Sequence, residues 1–333
     1  KEEASSKNAK KEFDFPITIK NITVIDADVD FRIKTKEVKE FEVFDLTNLN
    51  GKLKNIVLNS KNNEKSNMTG SFTSSFYDLS KLNIEIQMEQ GVKDPKTSIK
   101  GDASTLSLLT LKNKLSLIKE LNYSNGKIEK LNFDLINFKN KTSGDITFDE
   151  LSIDDLMLSD DKKGDYILFN LDELTLSFSK EKDAKLHITD AIVRKPVVEI
   201  HSIIKTKSAG STAKDRKDLF ADEKVFNPAS YIDKIKIIDG EIEEFSGIGT
   251  DKHLFSIENI NLDGKKVIIY DSTNTTLPIS VNDLDFIMKN IKVHSFPLYD
   301  LTIESFEMNI ISQRAYLKNL EFKNKKTQDA FFK

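Results

Sequence analysis

The feature that most constrains this chain is a strand pattern that slips by one residue and then resumes. In ITIKNITV (17–24), Ile17 and Ile19 alternate with polar residues, and Ile22 and Val24 resume the alternation after two polar residues. Side chains of a β-strand alternate between two faces, so a slip of one residue sends the following apolar side chains to the other face. A chain that repeats the slip needs a structural reason for it.

The slip recurs five more times, with apolar residues at i, i+2, i+5 and i+7. A helical stripe would need i, i+3, i+4 and i+7, so the spacing indicates strands. The further copies are LSIDDLML (151–158), FNLDELTLSF (169–178), FSIENINL (255–262), ISVNDLDFIM (279–288) and LTIESFEMNI (301–310). The interrupting pairs are all polar: Lys20-Asn21, Asp154-Asp155, Asp172-Glu173, Glu258-Asn259, Asn282-Asp283 and Glu304-Ser305.

Three structures could produce these pairs. As β-bulges they would return the apolar residues to one face, so that Ile19 and Ile22, Leu171 and Leu174, and Ile303 and Phe306 would point the same way. Bulges at matching places in successive strands would curl the sheet along one line. As hairpin turns, the pairs would reverse the chain between separate strands. As plain strand residues, they would leave half of each apolar set on the other face.

A longer unit is also repeated. ITVIDADVDF (22–31) matches IKIIDGEIEEF (235–245) at an offset of 213 residues, and ITDAIVRKPVVEIH (188–201) is a looser third copy with Pro196 in the place of Ala27. Repetition of this kind predicts an elongated stack of strands. The fold expected is all-β: a long, twisted, bulged antiparallel sheet curled into an elongated groove, with few or no helices. The best helix candidate is 103–121, which could equally be two strands.

Composition shifts divide the chain into five parts. We expect a disordered polar tail at 1–12, a first β-groove segment at 13–163 and a strand segment continuing the sheet at 164–204. A Ser/Ala/Lys-rich linker at 205–228 and a second β-groove segment at 229–333 follow.

No site for catalysis is apparent in the sequence. There is no Cys, and 50 Lys and Arg against 54 Asp and Glu give a net charge of −4, which argues against nucleic-acid binding. The four His residues (187, 201, 253 and 294) are scattered without ligand spacing. Asp26, Asp28 and Asp30 could hold Ca²⁺ but are more typical of a solvated strand face. We therefore predict a non-enzymatic protein without cofactor or metal.

The slipped strands, the units at 22–31 and 235–245, and the P-x-V-x-I segment at 196–200 resemble the AsmA-like proteins of the bacterial envelope. The stretch 97–135 resembles one near the end of their β-rich region, and 297–322 one nearer the start. The two stretches stand in reversed order here, which a tandem array, a permuted chain or segments out of native order would explain. The family is similar in plan to bridge-like, chorein-type lipid-transfer proteins.

This resemblance implies a periplasmic protein, attached to the inner membrane by an anchor outside this chain, that carries phospholipid or another acyl lipid along an apolar groove between the inner and outer membranes. The alternative is a structural or adhesive envelope protein whose two sheets close into a dry sandwich. The residues expected to line the groove are the apolar residues of the slipped strands: Ile25, Val29, Phe31, Leu174, Leu176, Phe178, Ile238, Ile242, Leu284 and Phe286.

Overall fold

The computed structural model describes residues 17–33, 42–58, 65–76, 80–112, 123–157, 166–181, 187–202, 228–246, 252–270, 279–296 and 298–332. One continuous β-sheet accounts for nearly all of these residues. The strands are β1 (Ile17–Ile33), β2 (Glu42–Leu58), β3 (Ser66–Phe76), β4 (Ser80–Gln90), β5 (Thr97–Ser107), β6 (Asn125–Phe138), β7 (Lys141–Met157), β8 (Tyr166–Glu181), β9 (His187–Arg194), β10 (Val197–Ser202), β11 (Pro228–Ser246), β12 (Lys252–Tyr270), β13 (Ile279–Val293), β14 (Tyr299–Asn309), β15 (Arg314–Asn324) and β16 (Ala330–Phe332). The predicted all-β fold with a long sheet is confirmed.

The strands follow chain order across the sheet, and most neighbours are antiparallel. β9 and β10 act as one strand that is interrupted at Lys195-Pro196, because both pair with β8 on one side and with β11 on the other. Their pairing with β11 is parallel, which departs from the predicted antiparallel sheet. A parallel connection needs a dozen residues or more, and 25 residues (203–227) separate β10 from β11.

Several predicted segments fall wholly or partly outside the described residues. The tail at 1–12 and most of the linker at 205–228 do so, and β11 begins at Pro228, where the linker was expected to end. For the segment 103–121, which could have been a helix or two strands, the strand alternative holds over the first five residues, because they belong to β5. Helix α1 covers Leu108–Lys112 only, and 113–122 lies outside the described part.

A row of residues in the left-handed conformation crosses the sheet from β1 to β15, and we call it the kink line. Their φ angles lie between 45° and 54°, a region that non-glycine residues seldom adopt and that Asn and Asp tolerate best. The kink line consists of Asp26, Asn48, Thr105, Glu150, Lys195, Asp239, Asn259, Asn290 and Asn319. A left-handed residue turns a strand sharply, so the sheet bends where these residues align.

Strand register shows how the slip is accommodated. Where two antiparallel neighbours both carry a left-handed residue, as β1 and β2 do, the register shifts and a bulge results. At Glu150 of β7, where the facing strand β8 has no left-handed residue, the register is kept across the kink: Asp149 pairs with Glu173 and Leu151 with Leu171. Both strands slip together there, so their apolar residues stay opposite one another. At Asp155, near the end of β7, the register shifts between Ile153 and Leu156.

All six polar pairs lie inside single strands (β1, β7, β8, β12, β13 and β14), so the hairpin-turn interpretation is wrong. Ile257 and Ile260 belong to one hydrophobic cluster, as do Ile303 and Phe306, so apolar residues on both sides of these slips share a face. That part of the bulge prediction is confirmed there. A shifted register accompanies the pairs Asp154-Asp155 and Glu258-Asn259. At the other four pairs the register is kept, because the neighbouring strand slips as well.

A shorter second line of kinks explains the slips at Lys20-Asn21 and Asn282-Asp283. Lys20 lies opposite Asn55, whose φ is 58°. Asn282 lies opposite Lys266, whose φ is 53°. These two left-handed residues occupy equivalent places in the β1–β2 and β11–β12 hairpins.

The predicted repeat is present in three dimensions. In β1–β2 the Asp26 N–H donates to Asn50 Oδ1 (3.1 Å), and the Asn50 side chain donates to the Asn48 carbonyl. In β11–β12 the Asp239 N–H donates to Asn261 Oδ1 (3.3 Å), and Asn261 donates to the Asn259 carbonyl. The third copy keeps the kink as well, since left-handed Lys195 precedes Pro196 as Asp26 precedes Ala27.

Candidate lipid-binding face

One face of the sheet carries the apolar residues, and they form three clusters along it. The first lies on β4 to β7 with α1, the second on β8, β9, β11 and β12, and the third on β11 to β14. Within each cluster the members come from adjacent strands or from α1, which follows β5, so the described side chains pack sideways rather than against a second layer. Their most buried members are Ala103, Leu106, Ile128, Ala191, Ile232, Val267, Ile257, Ile260 and Ile291.

This face is only half covered in the described part of the chain. No large side chain there is less than 2 % exposed, and most apolar residues of the strands are half-buried. A closed sandwich core would hold fully buried Leu, Ile and Phe residues from two facing sheets. The face thus has the character of a partly exposed apolar surface. An open hollow of about 370 Å³ at β13 to β15 is lined mainly by polar residues, among them Asn290, Glu304 and Asn319, and is therefore not a continuation of this apolar face.

Most of the residues expected to line the groove lie on this apolar face. Leu176, Ile242 and Phe286 belong to its clusters, Phe178 pairs with Ile188 of the second cluster, and Leu284 lies opposite Gly264 beside Ile235. Leu174 lies opposite Phe148, and Val29 lies opposite the buried Leu46. The side chain of Phe31 lies outside the described part.

Ile25 and Ile238 lie on the opposite face and do not line it. Ile238 pairs with Arg194, which in turn pairs with Glu173 on the polar face, and Ile25 at the equivalent position is 71 % exposed. Ile25 comes directly before left-handed Asp26, and Ile238 directly before left-handed Asp239. Neither isoleucine therefore belongs to the series of inward residues spaced i, i+2 and i+5. Val24 and Ile237 hold the inward positions instead, which the spacing of the repeat could have shown.

The polar face holds the kinks in place through acidic side chains. Glu129 lies between the kinks of β5 and β7 and accepts a hydrogen bond from Thr105 Oγ1 (3.2 Å). Lys195 forms an ion pair with Asp172 (2.9 Å). Further along the sheet, on β12 and β14, Glu258 accepts a hydrogen bond from Asn290 (3.0 Å), and Glu304 accepts hydrogen bonds from Lys318 and Asn319. Three of the interrupting polar pairs therefore supply a carboxylate that bonds to a kink residue: Asp172, Glu258 and Glu304.

Three of these kink carboxyl groups have a lowered pKa. A hydrogen bond from Lys127 lowers the pKa of Glu129, and one from Lys318 lowers that of Glu304. Hydrogen bonds from Asn290 and then Lys292 lower the pKa of Glu258. In each case the charged carboxylate is favoured in the folded protein.

We expect the thermal midpoint of unfolding to be steady from pH 7 to pH 5 and to fall below pH 4.5, the ordinary pKa of Glu. The folded-state pKa values lie below that value, so their stabilisation is complete above it and is lost as the pH falls through the folded values. Glu258→Gln should flatten part of the fall, as measured by circular dichroism. An unchanged acid limb in this variant would contradict a role for Glu258 at the kink.

The histidines are arranged in a way that their spacing did not predict. Four adjacent strands and the loop after β13 bring five rings into one ladder on which Tyr166, His201, Phe245, His253 and His294 follow one another at 4.6 to 5.5 Å between ring centroids. His294 Nδ1 lies 2.9 Å from Asp300. Three of the four histidines thus meet at one end of the sheet. Only the cross-strand register could have shown this, because the residues are far apart in sequence.

The aspartates at 26 and 28 have structural roles. Asp26 is a kink residue and accepts a hydrogen bond from the Asn50 side chain, and Asp28 accepts one from the Asn48 N–H (3.2 Å).

In the described part of the chain no three His, Cys, Asp or Glu side chains are grouped as metal ligands would be. No helix within those residues is long and apolar enough to cross a bilayer. Comparisons with protein-family models, with curated proteins and with solved structures found no match for this chain.

Proposed function

We propose that this chain is a non-enzymatic lipid-binding or lipid-transfer module of the AsmA type. It binds the acyl chains of phospholipid, or of another acyl lipid, along the apolar face of its kinked sheet. The observation that carries the proposal is that face: a single sheet presents a continuous series of apolar clusters, and the described residues provide no second layer to cover them. An apolar surface of this extent needs cover from something.

The bend supports the same proposal. The kink line turns the strands at matching places, while the apolar residues before and after each kink remain on one face. A bent sheet with one apolar face forms a trough in which a chain of methylene groups can lie. Each buried CH₂ group contributes about 0.8 kcal/mol, so a long acyl chain would be held without any specific polar contact.

The resemblance to AsmA-like proteins extends the proposal to the cell. In that setting the module lies in the bacterial periplasm, with an anchor in the inner membrane outside this chain, and it moves lipid between the inner and outer membranes. The two-sheet sandwich with a dry core remains the competing proposal. It is less favoured because the described strands form one sheet.

Native mass spectrometry of the purified protein tests lipid binding directly. We expect co-purified phospholipid, released on activation, and rebinding of a fluorescent NBD-labelled phosphatidylethanolamine after delipidation. A protein that carries no lipid as purified and fails to bind the labelled lipid would contradict the proposal and favour the dry sandwich.

A further inference from the structure

In the described part of the chain β1 is an edge strand, whereas the equivalent strand β11 is paired on both of its edges. β1–β2 and β11–β12 are copies of one hairpin, with the same kinks and the same side-chain hydrogen bonds. The outer edge of β11 is occupied by β9 and β10, whereas β2 is the only described strand that pairs with β1. The strand that completes this hairpin is therefore missing at β1 within the described part of the chain.

The internal junction shows which kind of strand fits. β9–β10 runs parallel to β11 and is itself kinked, and its left-handed Lys195 lies beside left-handed Asp239. Two backbone hydrogen bonds span the kink: the Lys195 N–H donates to the Ile238 carbonyl (2.7 Å), and the Glu241 N–H donates to the Pro196 carbonyl (2.8 Å). At β1 the equivalent groups are the Ile25 carbonyl and the Asp28 N–H.

β15, near the other end of the sheet, has the required direction and kink. Counting antiparallel steps across the sheet, β1, β10, β11 and β15 all run the same way. β15 has a left-handed residue, Asn319, opposite Glu304 on β14, just as Lys195 lies opposite Asp172 on β8. β16 pairs only with Phe322 and Lys323, so the described structure leaves the outer edge of β15 unpaired from Arg314 to Glu321.

We propose that β15 of one molecule pairs in parallel with β1 of a second copy, which joins the sheets head to tail. Placing Asn319 where Lys195 lies puts Leu317 opposite Val24 and Ala315 opposite Ile22. These pairs reproduce Val193 with Ile237 and Ala191 with Ile235 at the internal junction.

Exposure and charge agree with this partner. Ile25 is 71 % exposed, whereas its counterpart Ile238 is half-buried beside β9, and Leu317 on β15 is 50 % exposed. The unpaired edge of β15 carries two basic residues and one acidic one, Arg314, Lys318 and Glu321, and the facing stretch of β1 carries the acidic Asp26 and Asp28. The contact is heterologous, so it would continue from copy to copy rather than close as a dimer.

Cysteine cross-linking tests both the pairing and its register, because the chain has no native Cys. Val24→Cys and Leu317→Cys proteins, mixed and oxidised, should give a disulfide-linked heterodimer, since Cα atoms paired across neighbouring strands lie within disulfide range. A protein carrying both changes should give a ladder of dimers, trimers and larger species. Tyr316→Cys, one residue away and facing the other side, is the register control.

Four outcomes would overturn the proposal. In the first, the heterodimer yield is no higher than that of the Val24→Cys homodimer, and in the second, Tyr316→Cys gives the same yield as Leu317→Cys. In the third, the double variant forms no ladder. In the fourth, the wild-type protein stays monomeric in sedimentation velocity at every concentration. This pairing does not depend on what the apolar face binds, so its failure would leave the lipid proposal standing.

A backbone variant tests the expected hydrogen bond from Asp28. Asp28→Pro removes the outward N–H, whereas Asp28→Ala keeps it, and both lose the carboxylate that accepts from Asn48. We expect self-association of Asp28→Pro to be about tenfold weaker than that of Asp28→Ala in sedimentation velocity, as the loss of one backbone hydrogen bond implies. Equal association of the two variants would contradict the proposed register.

Discussion

Leu176→Asp is expected to leave the protein folded while lowering its bound phospholipid by about tenfold or more. Leu176 lies on the apolar face between Ile146 of β7 and Ala191 of β9, and it packs against the second cluster. On a partly exposed face the new carboxylate can reach water when no lipid is present. Beside an acyl chain it would lose that water, and a penalty of about 1.4 kcal/mol already corresponds to a tenfold loss of affinity.

Ser179→Asp is the matched control for this change. It adds the same charge to the same strand, but Ser179 lies on the polar face opposite Ser143 and His187, so lipid binding should be unchanged. Circular dichroism and lipid content from native mass spectrometry give the two readouts. An unfolded Leu176→Asp protein would indicate a sealed core, where a buried unpaired charge costs several kcal/mol. A folded variant that keeps its lipid would place the lipid elsewhere.

Asn259→Val is expected to lower the free energy of unfolding by about 2 kcal/mol, because a β-branched residue is poorly suited to a left-handed conformation. Asn259 has a φ of 53° and an exposed side chain on the kink line. Its carbonyl accepts the hydrogen bond from Asn261, and that bond is independent of the side chain. The substitution therefore tests the backbone conformation itself.

Two further variants separate the kink from a general effect of valine. Asn259→Gly should be as stable as the natural protein to within about 0.5 kcal/mol, because glycine adopts a positive φ at little cost. Lys289→Val, at an exposed position of the same bulge that is not left-handed, should be neutral or slightly stabilising. Urea unfolding followed by circular dichroism measures all three. Equal stability of Asn259→Val and Asn259→Gly would contradict a left-handed residue at this position.

The slips in the sequence predicted a great deal of this fold, because strand alternation is a strict rule and its repeated violation has few explanations. They located the bends at Asp172-Glu173, Glu258-Asn259 and Glu304-Ser305. They did not predict that most bends keep their register, since that depends on whether the neighbouring strand slips too. Such pairing is a property of two strands and cannot be read from one of them.

The parts that the sequence did not predict are likewise those that depend on neighbouring strands. The parallel pairing of β11 with β9 and β10 depends on which strands become neighbours in the sheet, which the residues of one strand do not determine. The ring ladder that includes His201 and His253 arises because the register brings distant residues to one end of the sheet. The choice of Ile25 and Ile238 as lining residues failed because each immediately precedes a left-handed residue, and the i, i+2, i+5 spacing gives the inward positions to Val24 and Ile237 instead.

Photo-cross-linking from two adjacent residues tests the central claim most directly, which is that lipid lies on one face of the kinked sheet. Phe286 lies in the third apolar cluster, and its neighbour Ile287 is exposed on the other face. Benzoylphenylalanine at position 286 should cross-link to phospholipid in the expressing cells, and the same group at position 287 should not. Lipid adducts at both positions in equal yield, or none at position 286, would contradict a one-sided lipid-binding sheet.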